Sequence, residues 1–306
     1  MSLQDLTDNF AIPGVLEVSE TDSGLFRAHI TAPSCTAELY LHGAHLTAWQ
    51  PTDQKPVLFL SERSPLAEDK AIRGGVPIIF PWFGPRTSTP ESPRTDGPAH
   101  GFARTAPWTL AFAALAGDDM HLTLTLGPNE ASRALGYDAF QLAFEIKLGR
   151  DLRMKLTVAN QGTAPMRFEE ALHTYFTVSD ASATAISGLA NTEFIDKTDN
   201  FQLKTQLEPT LHLTDQTDRL YLNTTTTVTL DDPGFNRRIT VAKSNSNSTV
   251  IWNPWSELSA KMADMTPDNW RSMTCIETVN AAENSIQLAP SQAHTMEAHI
   301  TVEPLT

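Results

Sequence analysis

The chain has 306 residues, a formal net charge of −14 at pH 7 and 41% apolar residues. The length suffices for a large core, while the negative charge opposes nucleic acid and anionic membranes, whose recognition needs clustered Lys and Arg. No apolar run approaches the roughly 20 residues of a membrane helix, and the start, MSLQDLTDNF, lacks the basic and apolar stretches of a signal peptide.

Period-two alternation dominates the chain and helical period is scarce. Residues 120–126 alternate cleanly. Phe144, Ile146 and Leu148 share one parity, Gly149-Arg150-Asp151 turns the chain, and Leu152, Met154, Leu156 and Val158 share a parity on the return, which predicts a hairpin. Strands are expected again at 224–230, 237–243 and 249–252. Their connections, Asp231-Asp232-Pro233-Gly234 and Ser244-Asn245-Ser246-Asn247, are rich in turn residues. Short helices fit 256–265 and 267–273, and 285–288 and 295–302 alternate once more. Between them, residues 84–100 carry Pro85, Pro90, Pro93 and Pro98 with few apolar positions, the composition of a long functional loop. No repeat or linker interrupts the pattern. The expected architecture is all-β, a large antiparallel β-sandwich forming a single domain over 1–306.

Cys35 and Cys275 are the only cysteines. Two distant thiols suit a reducing, cytoplasmic setting and offer no zinc or iron–sulfur spacing. His42 and His45 form the only close histidine pair, and their spacing puts them on opposite faces of a strand. No metal is therefore expected.

Reactive residues concentrate in a few segments. Arg73 precedes Gly74 and Gly75, a pattern that fits either a tight turn with a surface ion pair or an arginine carried to a ligand. His100 and Arg104 would share a face if extended. His173 has the parity of Glu169, Ala171 and Tyr175, opposite to Leu172 and Phe176, so it faces away from the apolar side. Glu169 lies about 13 Å along an extended strand from His173, too far for a direct partner; Glu169 and Glu170 are read as structural. Glu277 sits in the β-prone run Thr274-Cys275-Ile276-Glu277-Thr278-Val279, where a carboxylate needs either a structural partner or a catalytic use. Asp218 precedes Arg219 and fits a turn aspartate paired with that arginine as well as a ligand contact.

Several strings occur together and in order: Arg73-Gly74-Gly75-Val76-Pro77-Ile78, then Phe80-Pro81-Trp82-Phe83-Gly84-Pro85, His100-Gly101-Phe102-Ala103-Arg104, His173-Thr174-Tyr175-Phe176 and Trp252-Asn253-Pro254. Together they resemble the aldose 1-epimerase family, and within it the hexose-6-phosphate mutarotase branch, along nearly the whole chain. The resemblance implies a galactose mutarotase-like β-sandwich that needs no cofactor. It implies that His173 is the catalytic acid and Glu277 the catalytic base, and that Arg73, His100, Arg104 and Asp218 bind substrate, with Arg104 directed to a phosphate. The implied substrate is a hexose 6-phosphate, glucose 6-phosphate foremost, and a monomer fits. One position departs from the family pattern: Ala99 stands where glutamine is common. The same resemblance leaves open a mutarotase for free aldoses and a sugar-phosphate-binding protein without turnover. His42, His45, Trp49, Trp82, Trp252, Trp255 and Asp264 are read as fold or cleft-wall residues.

Overall fold

The computed structural model describes residues 1–88 and 93–305. Two large antiparallel sheets dominate. The nine-stranded sheet runs in the order Thr210–Leu211, Ala185–Ser187, Val228–Asp232, Arg237–Ser244, Ala293–Pro304, Leu152–Asn160, Phe140–Leu148, Asp119–Leu126 and Thr109–Ala116. The expected hairpin forms its sixth and seventh strands, with Phe144 opposite Leu156 and Ile146 opposite Met154. The eight-stranded sheet runs Gln202–Thr205, Glu193–Asp196, Thr217–Tyr221, Ser248–Asn253, Met273–Asn280, Glu170–Leu172 and Ile78–Ile79; Tyr175–Thr177 also pairs with Met273–Asn280. A four-stranded sheet built from residues 16–51 packs into the same core.

The sandwich follows from alternation. Ile146, Leu156 and Ile300 of the nine-stranded sheet share one apolar cluster with Leu172, Phe176, Ile251 and Ile276 of the eight-stranded sheet. The alternate positions of the second sheet, among them Tyr175 and Cys275, point the other way and form a separate small cluster with Phe59, Met265 and Met273. Successive side chains of a strand leave opposite faces. His173 and Glu277 therefore stand on the face turned away from the main core. The strand Met273–Asn280 is buried at every position, since residues cover it on both sides.

Several local expectations shift. The strand expected at 224–230 is Val228–Asp232. Thr224 and Thr226 instead bond to one another through their hydroxyls, and Thr226 reaches the Gly188 carbonyl, a local alternative to ladder pairing. Asp231 and Asp232, expected in a turn, extend that strand, and Asp232 then caps the 3-10 turn Pro233–Phe235. The two helices expected near 256–273 are shorter, Trp255–Lys261 and the 3-10 segment Asn269–Ser272. A helix the periodicity did not signal, Leu3–Phe10, is held by a capping box between Ser2 and Asp5 and buries Leu6. The described parts of the 84–100 loop contain no helix or strand, and its residues 89–92, Pro90 included, lie outside the described residues.

Candidate active site

The site is assembled by register. Leu172 pairs with Thr278 and Tyr175 with Cys275, so of the two residues between, His173 stands across from Glu277 and Thr174 across from Ile276. One strand further, Cys275 is opposite Trp252, and Trp252 is opposite Asp218. Lys197 follows, its backbone N–H donating to the Asp218 carbonyl at 2.9 Å. Tyr175, Cys275, Trp252, Asp218 and Lys197 thus form a row across one face, with the His173–Glu277 pair in the neighbouring row. On the other side, the His173 N–H donates to the Pro77 carbonyl at 3.0 Å and the Tyr175 N–H to the Gly75 carbonyl at 2.9 Å.

His173 Nε2 lies 3.3 Å from Glu277 Oε1. The imidazole is stacked on the Tyr175 ring at 4.8 Å between centroids, and Trp252 meets it edge-on at 6.3 Å. His173 is 7% exposed and Glu277 1%. Neither the second Glu277 oxygen nor His173 Nδ1 has a hydrogen-bond partner among the described residues. Burial pushes the Glu277 carboxyl well above its usual range, and nearby Asp218 adds to the rise. Burial pushes the His173 imidazole well below its usual value, and the neighbouring His100, Arg104 and Arg73 add to the fall. Burial therefore disfavours charge on each group, whereas their contact favours sharing of one proton between them.

Arg73 approaches from above Tyr175. Its Nη1 donates to the Tyr175 hydroxyl at 2.8 Å, and its Nε and Nη2 reach Asp264 Oδ2 at 3.0 and 2.9 Å. The two glycines after it serve the backbone. Gly74 has φ of +120° and an added Cβ would lie 2.4 Å from the Phe59 carbonyl oxygen; at Gly75, with φ of +59°, it would lie 2.2 Å from that of Leu46. The segment is threaded between two neighbouring stretches of main chain, and His45 pins it by bonding the Gly74 carbonyl through Nε2 at 2.7 Å. The close approach expected of these glycines is thus to the protein's own chain, and Arg73 is its projecting consequence.

His100 and Arg104 do not lie on a strand. His100 adopts φ of +65°, Gly101 follows at +70°, and Arg104 sits in the 3-10 turn Ala103–Thr105. An added Cβ at Gly101 would lie 2.0 Å from the Phe80 carbonyl oxygen, which forces the tight bend. The bend still brings both side chains to the site. The Gly84 N–H donates to His100 Nδ1 at 3.2 Å, leaving Nε2 to carry the hydrogen, and the His100 ring lies 5.6 Å from that of His173. Arg104 Nη2 donates to the Ala99 carbonyl at 2.7 Å. Burial and the nearby Arg73 lower the Arg104 guanidinium to about 10. Among the described residues no carboxylate pairs with it.

Asp218 is a strand residue, and its ion-pair partner is Lys197 at 3.2 Å, not Arg219. Arg219 leaves the opposite face and covers the Phe194 ring at 4.7 Å. Lys197 also lies 4.6 Å over the Phe83 ring, which meets His100 edge-on at 4.9 Å. Glu169, set aside as structural, accepts from the Phe83 and Ala282 N–H groups at 2.7 and 2.8 Å and so anchors that wall. Glu170 is fully buried against His294 and Asn280. Sequence reasoning missed Lys197, for which no local pattern gives a sign, and left Asp264 as a wall residue although it holds Arg73. A separate cavity of about 720 Å³ behind Pro81 and Trp82 is lined by neither His173 nor Glu277, although Glu169 borders it.

Residues 27–301 match the family model described as aldose 1-epimerase. The chain belongs to the aldose 1-epimerase family. A protein of Escherichia coli strain K12 named "putative glucose-6-phosphate 1-epimerase" is 33% identical over 93% of this chain and 95% of its own. The crystal structure of a "putative mutarotase" from Salmonella typhimurium superimposes with a TM-score of 0.88 at 32% identity, covering 96% of each chain. A galactose mutarotase-like protein from Clostridium acetobutylicum shares the fold, with a TM-score of 0.71 at 15% identity over 95% of this chain and 98% of that one. The large antiparallel sandwich is thus the fold that aldose 1-epimerases share with galactose mutarotase-like proteins. No helix among the described residues is long and apolar enough to cross a membrane.

Proposed function

We propose that the chain is an isomerase that interconverts the α and β anomers of a hexose 6-phosphate, glucose 6-phosphate foremost. The observation that carries this reading is the contact of His173 Nε2 with Glu277 Oε1 at 3.3 Å, near a half-buried arginine, Arg104, that has no carboxylate partner among the described residues. The names of its relatives point the same way.

Mutarotation requires one proton to leave the anomeric hydroxyl and one to reach the ring oxygen. Glu277 takes the first and His173 gives the second, from the form of the pair in which the shared proton stands on His173. The C1–O5 bond breaks as the C1 hydroxyl becomes the aldehyde oxygen. Rotation about C1–C2 presents the other carbonyl face, O5 attacks it, and the same two proton transfers run backwards. The pair starts and ends each turnover with the same single proton. No oxidant, metal or organic cofactor enters the balance. Arg104, with Arg73, takes the phosphate; His100 Nε2–H and Asp218 meet sugar hydroxyls. Buried free thiols at Cys35 and Cys275 suit a reducing cytoplasm.

The test is an anomer-exchange measurement by NMR with glucose 6-phosphate and with glucose. Exchange of the phosphorylated sugar at a higher kcat/KM supports the reading. Preference for the free sugar replaces it with an aldose mutarotase, and binding without exchange replaces it with a sugar-phosphate-binding protein.

A further inference from the structure

One side chain beside the reacting pair has no part in the proton transfers. Cys275 is fully buried, leaves the same strand face as Glu277 two residues earlier, and lies across from Tyr175. Its Sγ, a ring nitrogen of His173 and a carboxylate oxygen of Glu277 all lie within 4.8 Å of one another. The set is not contiguous in the sequence: Cys275 and Glu277 stand on one strand and His173 in the segment paired alongside it.

The geometry points to an inhibitory zinc site formed by His173, Cys275 and Glu277. The ligand set is one nitrogen, one sulfur and one oxygen, the mixture that suits zinc over the all-oxygen ions magnesium and calcium. Zinc–nitrogen and zinc–oxygen bonds of about 2.0–2.1 Å at a tetrahedral angle separate the two ligand atoms by about 3.3 Å. His173 Nε2 and Glu277 Oε1 already stand at 3.3 Å. A zinc–sulfur bond of about 2.3 Å sets the corresponding sulfur–nitrogen edge at about 3.6 Å, inside the 4.8 Å that bounds the separations of the three ligand atoms. Charge also closes: a thiolate, a carboxylate and a neutral imidazole bring −2 to a +2 ion, so the buried centre is neutral although Arg73, Arg104 and Lys197 stand nearby. Binding releases the thiol proton, and the carboxyl proton when present, to solvent; nothing is oxidised or reduced. Three protein ligands leave a fourth coordination position open.

This inference rests on the proposed catalytic pair for its consequence. With Nε2 and Oε1 both on zinc, neither proton transfer can run, so zinc and sugar exclude one another.

Two readouts test it, one of which does not need activity. Cobalt(II) replaces zinc as a spectroscopic probe. One cobalt per chain should bind with a thiolate-to-metal charge-transfer band in the wild type and in Cys35→Ser, and without that band in Cys275→Ser and Cys275→Ala. Zinc should inhibit anomer exchange reversibly, relieved by a chelator and by excess glucose 6-phosphate. The midpoint should rise at least tenfold in both Cys275 variants, each measured against its own metal-free rate. Circular dichroism checks that both variants fold. Absence of the band from the wild type, or its survival in a folded Cys275 variant, overturns the site. If the band appears as expected but the wild type exchanges no anomers, the zinc site stands and the proposed function fails; if exchange proceeds with no band, the reverse holds.

Discussion

Glu277, on the strand Met273–Asn280, faces His173, in the two-residue break between Glu170–Leu172 and Tyr175–Thr177, at 3.3 Å, and neither residue has much exposure. Their segments are fixed by the pairs Leu172–Thr278 and Tyr175–Cys275 on either side, so the contact is a property of the sheet and not of a flexible loop. A pair held in this way is preorganised for two proton transfers to one sugar. Glu277→Gln and His173→Ala should each slow anomer exchange at least about a hundredfold, the lower scale for general acid–base groups. The double variant should lose less than the product of the single losses, because the two act as a unit. NMR exchange rates on folded variants decide it; near-wild-type exchange in either single variant removes that residue from its role.

How much of this could be read in advance depended on burial. Strands covered on one side only, such as Asp119–Leu126 and Phe140–Leu148, keep the two-residue alternation and were legible. Met273–Asn280 is buried at all eight positions, which erases the alternation around Glu277; there only the family strings gave a role. The strand geometry imagined for His100 and Arg104 failed because Gly101 and His100 both take positive φ, a turn whose one visible sign was the glycine. Lys197 was out of reach altogether. Its place beside Asp218 depends on the pairing of Asp196 with Arg219, a non-local fact that no spacing in the sequence encodes.

The pH dependence follows from the same pair. The active state holds one proton. A second must enter His173, whose protonation is opposed by burial and by His100, Arg104 and Arg73. The acid limb of kcat/KM should therefore lie below about 6.5, the ordinary histidine value. Burial of Glu277 raises its affinity for the one resident proton, which moves the alkaline limb above the ordinary carboxylate range. A pH–rate profile with its acid limb at or above about 6.5 would contradict this electrostatic picture.

His45 links stability to pH. It is fully buried beneath the Arg73 segment, and burial lowers its imidazole to about 3. The unfolded chain, at about 6.5, then binds more protons than the folded one between those values, so stability falls as pH drops through this window. From pH 6.5 to pH 5 the loss from this group alone is about 2 kcal/mol, at 1.36 kcal/mol per unit. His100 and His173 are lowered as well and act in the same direction. Urea unfolding of the wild type and of His45→Asn at pH 5 and 7 checks it: the variant should be less stable at pH 7 yet lose about 2 kcal/mol less on acidification. Equal losses in both proteins would show that His45 is not the titrating group.

Phosphate recognition should be local and should fall chiefly on Arg104. The net charge of −14 leaves no diffuse basic surface to substitute for it. Of the two arginines at the site, Arg73 is already committed to Asp264 and Tyr175 through three of its donors. Among the described residues Arg104 donates to the Ala99 carbonyl alone, and burial with the nearby Arg73 charge makes its own charge costly until an anion arrives. A phosphate relieves that cost and accepts charge-assisted bonds about twice as strong as neutral ones. Arg104→Ala should therefore weaken binding of hexose 6-phosphate by about 1.5–3 kcal/mol, the scale of a hydrogen bond to a charged group. The unphosphorylated sugar should lose much less. Arg73→Ala should lower kcat/KM for both sugars, because it also releases Asp264 and the Tyr175 hydroxyl under His173. The measurement is kcat/KM for glucose 6-phosphate and glucose in each variant. Equal loss on both sugars in Arg104→Ala, or a wild type without preference for the phosphorylated one, would move the assignment to a mutarotase of free aldoses.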